Sequence, residues 1–300
     1  MTSNIKPTLL ILAGWMWSRY GWLKQIDWFW PHWQAILEYS IYDAIRAWFG
    51  KVVIVLRKDF QEQFDAKFTN TFQDKIEVQY VYQSLDLTRY GFGDGVHRSK
   101  PWGTAHAILT AQDAINWPFA VINADDYYGV DWYQQMSDFL TTQASPSLSC
   151  MIGYKLMNTL SAFGGVNRWV CTINTNNNLQ SVTENHKIIR QEDGSIISDE
   201  WNILSNDTTV SMWFWWFDGS FMQTIEAYFN NWLSHSYDSP TAESYIPSVV
   251  DDTIHKYNHA VRVLVSHDER YWVTNPDDKP EVVAALAKLT SALVYPENLW

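Results

Sequence analysis

Short apolar runs rich in β-branched residues alternate with segments of helical spacing in the first half of the chain, and this alternation restricts the fold more than any other feature. Thr8 to Ala13 reads TLLILA and Lys51 to Arg57 reads KVVIVLR. Continuous apolar runs of this length suit strands buried on both faces. Between them, Gln34 to Phe49 spaces Leu37, Ile41, Ala44, Ile45 and Trp48 as the stripe of an amphipathic helix. Phe60 to Phe72 predicts a second helix, Ile76 to Gln83 a third strand, Gly103 to Ile115 a third helix and Phe119 to Asn123 a fourth strand. The order β-α-β-α-β-α-β implies a mainly parallel sheet with helices on both faces and right-handed crossovers.

The second half changes character. Leu148 to Tyr154, Gly165 to Thr175, Leu179 to Glu184 and Thr208 to Phe217 predict strands joined by polar loops. Helices are predicted at Gly219 to Trp232, around Ile246 to His255, and at Lys279 to Leu293. No low-complexity linker, repeat or charge block divides the 300 residues. The expectation is one α/β domain with a Rossmann-like mixed, mostly parallel sheet, made of two halves, residues 8–145 and 146–300.

The formal net charge of −12 argues against coating of nucleic acid or anionic membrane. Two cysteines, Cys150 and Cys171, exclude a disulfide scaffold and a four-cysteine zinc site, and fit a reducing compartment. No apolar run approaches the ~18 residues of a membrane span, and Thr8 to Ala13 is too short for a signal h-region. These features predict a soluble, cytoplasmic protein of undetermined oligomeric state.

Ligands of open parallel sheets collect beyond the carboxyl ends of the strands, so the loops after Ala13 and Asn123 are where chemistry is expected. The first, Gly14-Trp15-Met16-Trp17-Ser18-Arg19-Tyr20-Gly21-Trp22-Leu23-Lys24, sets two cations past a buried strand. They suit the neutralisation of a triphosphate and equally the ordinary solvated cations of a surface loop. Neither GxxxxGK[ST] nor GxGxxG is present. The second loop carries Asp125 and Asp126, carboxylates that end a buried strand. Asp125 suits Mg²⁺, a hard cation that also uses substrate phosphates; the pair also suits a turn or an N-cap. Asp218 ends another apolar strand, as a second metal ligand or as the cap of the helix beginning near Gly219. His255 and His259 lack a third metal ligand, His186 and Lys187 are open to phosphate or solvent, and Cys150 reads as a small core hydrophobe.

In their order, these loops resemble the motifs of the sugar-phosphate nucleotidylyltransferases, the nucleoside-diphosphate-sugar pyrophosphorylases. The family motif L-A-A-G-x-G-S/T-R-x-x-x-x-K is similar to Leu12-Ala13-Gly14-Trp15-Met16-Trp17-Ser18-Arg19 followed by Lys24. Lys100 to Ala107 (KPWGTAHA) resembles the base-recognition segment, Asn123 to Asp126 the metal loop, and Gly164-Gly165-Val166 with Glu184 to Lys187 the sugar-phosphate side. The resemblance spans roughly residues 8 to 220. It implies an enzyme that joins a nucleoside triphosphate to a sugar 1-phosphate, forming a nucleotide-sugar and pyrophosphate. It further implies that Arg19 holds the β/γ-phosphates and Lys24 the α-phosphate side. Ala13, Gly14, Gln83, Gly103, Thr104 and Asp125 would then bind nucleotide, and residues 8–145 become the nucleotide half. Gly165, Glu184 and Lys187 would contact the sugar phosphate, and Asp125 and Asp218 would hold Mg²⁺. A related activity is cytidylyl transfer to phosphocholine, and a non-catalytic aromatic-lined module binding carbohydrate or protein is the alternative of a different class.

The chain also departs from the motif. Trp15 and Trp17 stand where the family carries glycine or another small residue, and Trp22 lies near a further such position. Seven tryptophans fall in the first 48 residues, and Trp30, Trp33, Trp48, Trp169, Trp201, Trp216 and Trp272 also fall where glycine or a small polar residue reads more naturally. Glycine itself numbers 13, against roughly 21 expected at about 7% usage. An indole buries on the order of 200 Å², so indoles in a phosphate loop are expected to reduce or abolish nucleotide affinity.

Overall fold

The computed structural model describes residues 6–14, 34–69, 71–93, 98, 100–116, 118–143, 145–161, 164–266, 271–272 and 279–300. Arg19, Lys24, Trp15, Trp17, Trp22, Trp30 and Trp33 lie outside these residues.

Strands β1 (Thr8–Leu12), β2 (Lys51–Leu56), β3 (Glu77–Tyr82) and β4 (Phe119–Asn123) are parallel, in the order β3-β2-β1-β4. Every residue of β1 and β2 is buried, as their unbroken apolar sequences require. Successive side chains point to opposite faces. Leu9 and Ile11 join Val52 and Ile54 in one core, while Leu10 and Leu12 join Val53 and Val55 in another.

Helices close both cores. Against the first pack α1 (Ile36–Arg46) through Leu37, Ile41 and Ala44, α2 (Gln61–Phe68) through Phe64 and Phe68, and α4 (Asp131–Thr142) through Met136, Phe139 and Leu140. Against the second pack α3 (Thr104–Thr110), α5 (Phe221–Ser236) and α6 (Ile246–Tyr257). The Glu38 carboxylate accepts the Ala35 backbone N–H at 2.6 Å and closes the first turn of α1.

The sheet continues through β11 (Thr209–Phe217), antiparallel to β4, then β6 (Leu148–Lys155), antiparallel to β11, then β12 (Ala260–Ser266), parallel to β6. Among these strands β11 alone runs against the rest. Its amino-terminal part also pairs with β7 (Val166–Ile173), which leads into an antiparallel arm of β8 (Leu179–Arg190), β9 (Ile196–Ile197) and β10 (Ile203–Leu204). The mixed, mostly parallel sheet with helices on both faces agrees with the sequence expectation. Helix α4 and strand β12 are additions to the expected elements; in α4, Trp132, Tyr133, Met136, Phe139 and Leu140 lie three and four residues apart and all are buried.

The carboxyl-terminal residues return to the parallel strands. Short strands β5 (Asp126–Tyr127) and β13 (Tyr271–Trp272) pair, and α7 (Lys279–Ser291) follows. Tyr295 donates its hydroxyl to Asp43 at 2.5 Å and shares a 2.9 Å hydrogen bond with Tyr127, tying the chain end to the turn after β4.

Among the described residues, three tryptophans hold left-handed backbones: Trp48 at φ 69°, Trp201 at φ 60° and Trp213 at φ 66°. A Cβ opposes that conformation, which glycine adopts freely. Trp169 and Trp216 instead lie buried within β7 and β11.

Candidate nucleotide and acceptor site

β1 connects to β2 on one side while β4 flanks it on the other, so the strand order reverses between β1 and β4. The crevice at such a reversal is where open α/β sheets bind ligands. Leu12 lies opposite Asn123, and Ala124 N–H donates to the Leu12 carbonyl at 3.1 Å. The chain therefore leaves β1 through Ala13 and Gly14, and β4 through Ala124 and Asp125, from adjacent points on one sheet edge.

Gln83 follows β3 at the same edge, held by its backbone N–H to the Leu56 carbonyl at 2.8 Å. Its Nε2 donates to the Gly103 carbonyl at 3.1 Å and lies 3.2 Å from His106 Nδ1. Its Oε1 faces Gly14, 3.6 Å from where a Cβ on that glycine would lie. Gly14, Gln83 and Gly103, from three separated stretches of sequence, thus meet at one corner of this sheet edge.

Gly103 has no tolerable replacement. It sits at φ 95°, and a Cβ there would lie 2.3 Å from the Ser244 carbonyl oxygen. That approach is needed because Ala105 N–H donates to the Ser244 carbonyl at 3.0 Å and Ser244 N–H to the Trp102 carbonyl at 2.9 Å. Thr104 Oγ1 accepts the Ile246 N–H at 3.0 Å, so this hydroxyl caps α6. Arg98 braces the same corner. Its guanidinium stacks 3.7 Å from the Trp102 ring and donates to the carbonyls of Lys100, Pro101, Ser239 and Ala242.

Asp125 and Asp126 are both buried. Asp126 accepts from Asn123 Nδ2 at 3.2 Å, and the single hydroxyl hydrogen of Tyr128 is shared between Asp126 at 3.3 Å and the Met212 carbonyl at 3.2 Å. Asp125 occupies the turn between β4 and β5. Asp218 is not brought to it. Phe217 pairs with Phe119 at the start of β4, which places Asp218 beyond the amino end of the parallel strands. At about 3.3 Å per residue, the length of β4 alone separates the two carboxylates by roughly 13 Å. Asp218 instead accepts from Ser220 N–H at 2.9 Å and Ser220 Oγ at 2.8 Å, just before α5. Carboxylate oxygens suit Mg²⁺, so Asp125 fits as one ligand beside substrate phosphates and Asp218 does not complete the set. Among the described residues no group of three or more His, Cys, Asp or Glu side chains is arranged to hold a metal.

Beside this crevice lies an aromatic wall. The register of β11 shifts between Ser211 and Trp215, and Trp213 occupies the bulge at the level of the β4 carboxyl end. Trp169, Trp213 and Tyr245 meet edge to face, their ring centroids 5.8 to 6.1 Å apart. Glu184 is the cross-strand partner of Trp169, and burial raises its pKa with a further push from Glu243. The Glu243 side chain is 2% exposed; Oε2 accepts from Tyr245 Oη at 2.9 Å and Lys100 Nζ at 3.3 Å, whereas Oε1 is buried without a hydrogen-bond partner among the described residues. Gly165 packs on the Lys187 backbone, which a Cβ would approach to 3.2 Å. The Lys187 side chain is exposed and lies 3.6 Å from Asp199.

Sequence reasoning named Gln83, Gly103, Asp125 and Glu184 but missed His106, Arg98, Trp213, Glu243 and Tyr245. His106 was within reach, since it belongs to the KPWGTAHA segment. Glu243 and Tyr245 sit in a stretch with no motif of its own, joined to Gly103 only by folding.

The model of the family described as Nucleotidyl transferase matches residues 29–190, more than half of the chain. The chain belongs to the nucleotidyl transferase family. Solved structures agree in fold. A UDP-glucose pyrophosphorylase complexed with UDP-glucose is 16% identical, with a TM-score of 0.62 over 95% of this chain and 99% of that one. The inositol-1-phosphate CTP transferase from T. maritima is 11% identical, with a TM-score of 0.63 over 96% and 97%. HddC from Yersinia pseudotuberculosis is 14% identical, with a TM-score of 0.58 over 93% and 99%. No curated protein sequence matches this nucleotidyl transferase family member. Among the described residues, no helix is long and apolar enough to cross a membrane.

Proposed function

We propose that this chain carries the site of a Mg²⁺-dependent nucleotidyltransferase that joins a nucleoside triphosphate to a sugar 1-phosphate. The observation that carries the reading is the convergence of Gly14, Gln83, Gly103 and Asp125 at the strand-order reversal, with Glu184 and Glu243 beside them. In the reaction an oxygen of the acceptor phosphate attacks the α-phosphorus, the bond to the bridging oxygen of the β-phosphate breaks, and pyrophosphate leaves. Such catalysis rests on positioning and on charge stabilisation. Gly14 and Gln83 would seat the nucleoside and Asp125 the metal, which supplies charge neutralisation of the phosphates. Arg19 and Lys24, in the loop that follows β1 in sequence, would draw off the charge of the leaving pyrophosphate. Gly165, Glu184 and Lys187 would serve the acceptor, joined by Glu243, whose bare Oε1 needs a donor. Trp15 and Trp17 would crowd the phosphate loop and weaken nucleotide binding.

A second reading, cytidylyl transfer to phosphocholine, draws on the same wall, because aromatic faces beside carboxylates suit a quaternary ammonium. The test is pyrophosphate release with each NTP, Mg²⁺, and a panel of sugar 1-phosphates and phosphocholine. Weak release that rises in a Trp15→Gly/Trp17→Gly variant supports the proposal. Full turnover by the unaltered chain removes the impairment, and no release from either protein with any acceptor rejects the transferase.

A further inference from the structure

We infer that Tyr295 is a positioning residue: through Tyr127 it holds the turn that carries Asp125, and so sets how firmly the site takes its metal. The inference rests on the proposed role of Asp125 as a ligand of Mg²⁺ and adds the group that fixes it. A carboxylate on a turn holds a cation only as firmly as the backbone beneath it is held. Upstream, that backbone is anchored to β1 by the Ala124 N–H on the Leu12 carbonyl. Downstream it enters β5, where Asp126 and Tyr127 pair with Trp272 and Tyr271 of β13. So short a two-stranded ladder is marginal by itself. The Tyr127 side chain supplies the second anchor.

Tyr127 is 3% exposed, and its hydroxyl meets the Tyr295 hydroxyl at 2.9 Å. The direction of the hydrogens is fixed from the far end. Asp43 is a buried carboxylate with Arg46 Nη1 3.6 Å from its Oδ1, so it accepts. The single Tyr295 hydrogen therefore goes to Asp43 Oδ2, at 2.5 Å. Tyr295 is left as an acceptor toward Tyr127, which must donate. The three groups make a one-way chain of hydrogen bonds from the Asp125 turn to α1.

The far end of that chain is itself held. Arg46 Nη1 donates to the Val294 carbonyl at 3.1 Å, beside Tyr295. Trp300 Nε1 donates to Glu38 at 2.9 Å, the carboxylate that also accepts the Ala35 N–H. Residues 294–300 thus grip α1 on both sides of Asp43, and Tyr295 reaches from that grip to β5. Tyr39 stands edge-on to both rings, 6.4 Å from Tyr127 and 4.9 Å from Tyr295, and all three share a small core with Val282 and Leu286 of α7. Deleting one hydroxyl leaves a buried partner unpaired, and the turn must move to satisfy it.

The experiment is calorimetric titration of each NTP, once with Mg²⁺ and once with EDTA, into the unaltered chain and into Trp15→Gly/Trp17→Gly, which relieves the phosphate loop. Tyr295→Phe and Tyr127→Phe are then added to the second protein, singly and together; both keep the ring and its packing. The ratio of the two affinities is the gain due to the metal. Tyr295→Phe should cut that gain about tenfold and leave the affinity in EDTA nearly unchanged, as expected for a group that orients a metal ligand. Tyr127→Phe should do the same, and the double variant should lose no more than either single one, because the two hydroxyls act as one unit. Asp43→Asn, whose carbonyl still accepts from Tyr295, should keep most of the gain. A Tyr295→Phe protein that keeps the whole gain, or loses affinity equally in Mg²⁺ and EDTA, overturns the inference and leaves Asp125 and nucleotidyl transfer standing. If no NTP binds better with Mg²⁺ than with EDTA before Tyr295 is touched, the metal reading falls and the inference with it.

Discussion

The two sides of the crevice, proposed for the nucleotide and for the acceptor, are built by different means. The nucleotide side stands on β1, β2 and β4, whose side chains are buried on both faces, and its corner is closed by backbone hydrogen bonds of Ser244 with Trp102 and Ala105. The acceptor side stands on β7, β8 and the bulge of β11. Buried and exposed residues are interspersed there, and the contacts are rings and carboxylates. Backbone-built geometry tolerates little change, whereas a wall of side chains can be altered one residue at a time. The first region should fail structurally when touched, the second functionally.

The largest effect is expected at Gly103. Gly103→Ala forces a Cβ into the Ser244 backbone at a positive φ, and should destabilise the protein by about 4 kcal/mol, read by denaturant unfolding. A loss below 1 kcal/mol would mean that the corner yields more easily than its packing implies.

Next comes pH. The His106 pKa falls from 6.5 unfolded to about 4 folded, so the unfolded chain takes up the proton first. Its contribution to stability is complete above pH 6.5 and is lost as the pH drops toward 4. At about 1.4 kcal/mol per unit the loss is on the order of 3 kcal/mol. Comparing His106→Gln with the unaltered chain isolates it: the variant's stability should fall less steeply across that window.

On the acceptor side, Glu243→Gln should raise the acceptor KM about tenfold while NTP affinity and fold stability change little. A larger stability loss would place Glu243 with the structural corner. The smallest effect is expected at Trp201, which is 80% exposed at φ 60°. Trp201→Gly should stabilise the protein by up to about 1 kcal/mol in thermal unfolding. Trp213→Gly relieves a similar strain but removes a ring from the wall, so it should destabilise.

How much could be read in advance follows the same division. Runs such as TLLILA and KVVIVLR announce strands covered on both faces, and the loops after Ala13 and Asn123 mark the crevice with Gly14 and Asp125 in them, whereas Gln83 and Gly103 were named only through the resemblance to a family. Asp218 was misplaced for a physical reason. Ending an apolar strand says nothing about which end of the sheet is reached, and β11 runs antiparallel to β4. Glu243 and Tyr245 lie some 140 residues from Gly103 in sequence and reach its corner only because Ser244 between them bonds the backbone of Trp102 and Ala105. A bulge with a left-handed tryptophan, as at Trp213, has no local signature in an otherwise apolar strand.

The measurement that bears most directly on the account is mapping of backbone amide shifts on adding Mg²⁺ with each NTP to the Trp15→Gly/Trp17→Gly protein. The account predicts shifts at Gly14, Gln83, Gly103 and Asp125, with none in the open hollow of Gln112, Asp113, Asp218, Ser220 and Glu226 at the opposite sheet edge. Shifts confined to that hollow, or no saturable shifts at the β1–β4 crevice, would contradict it.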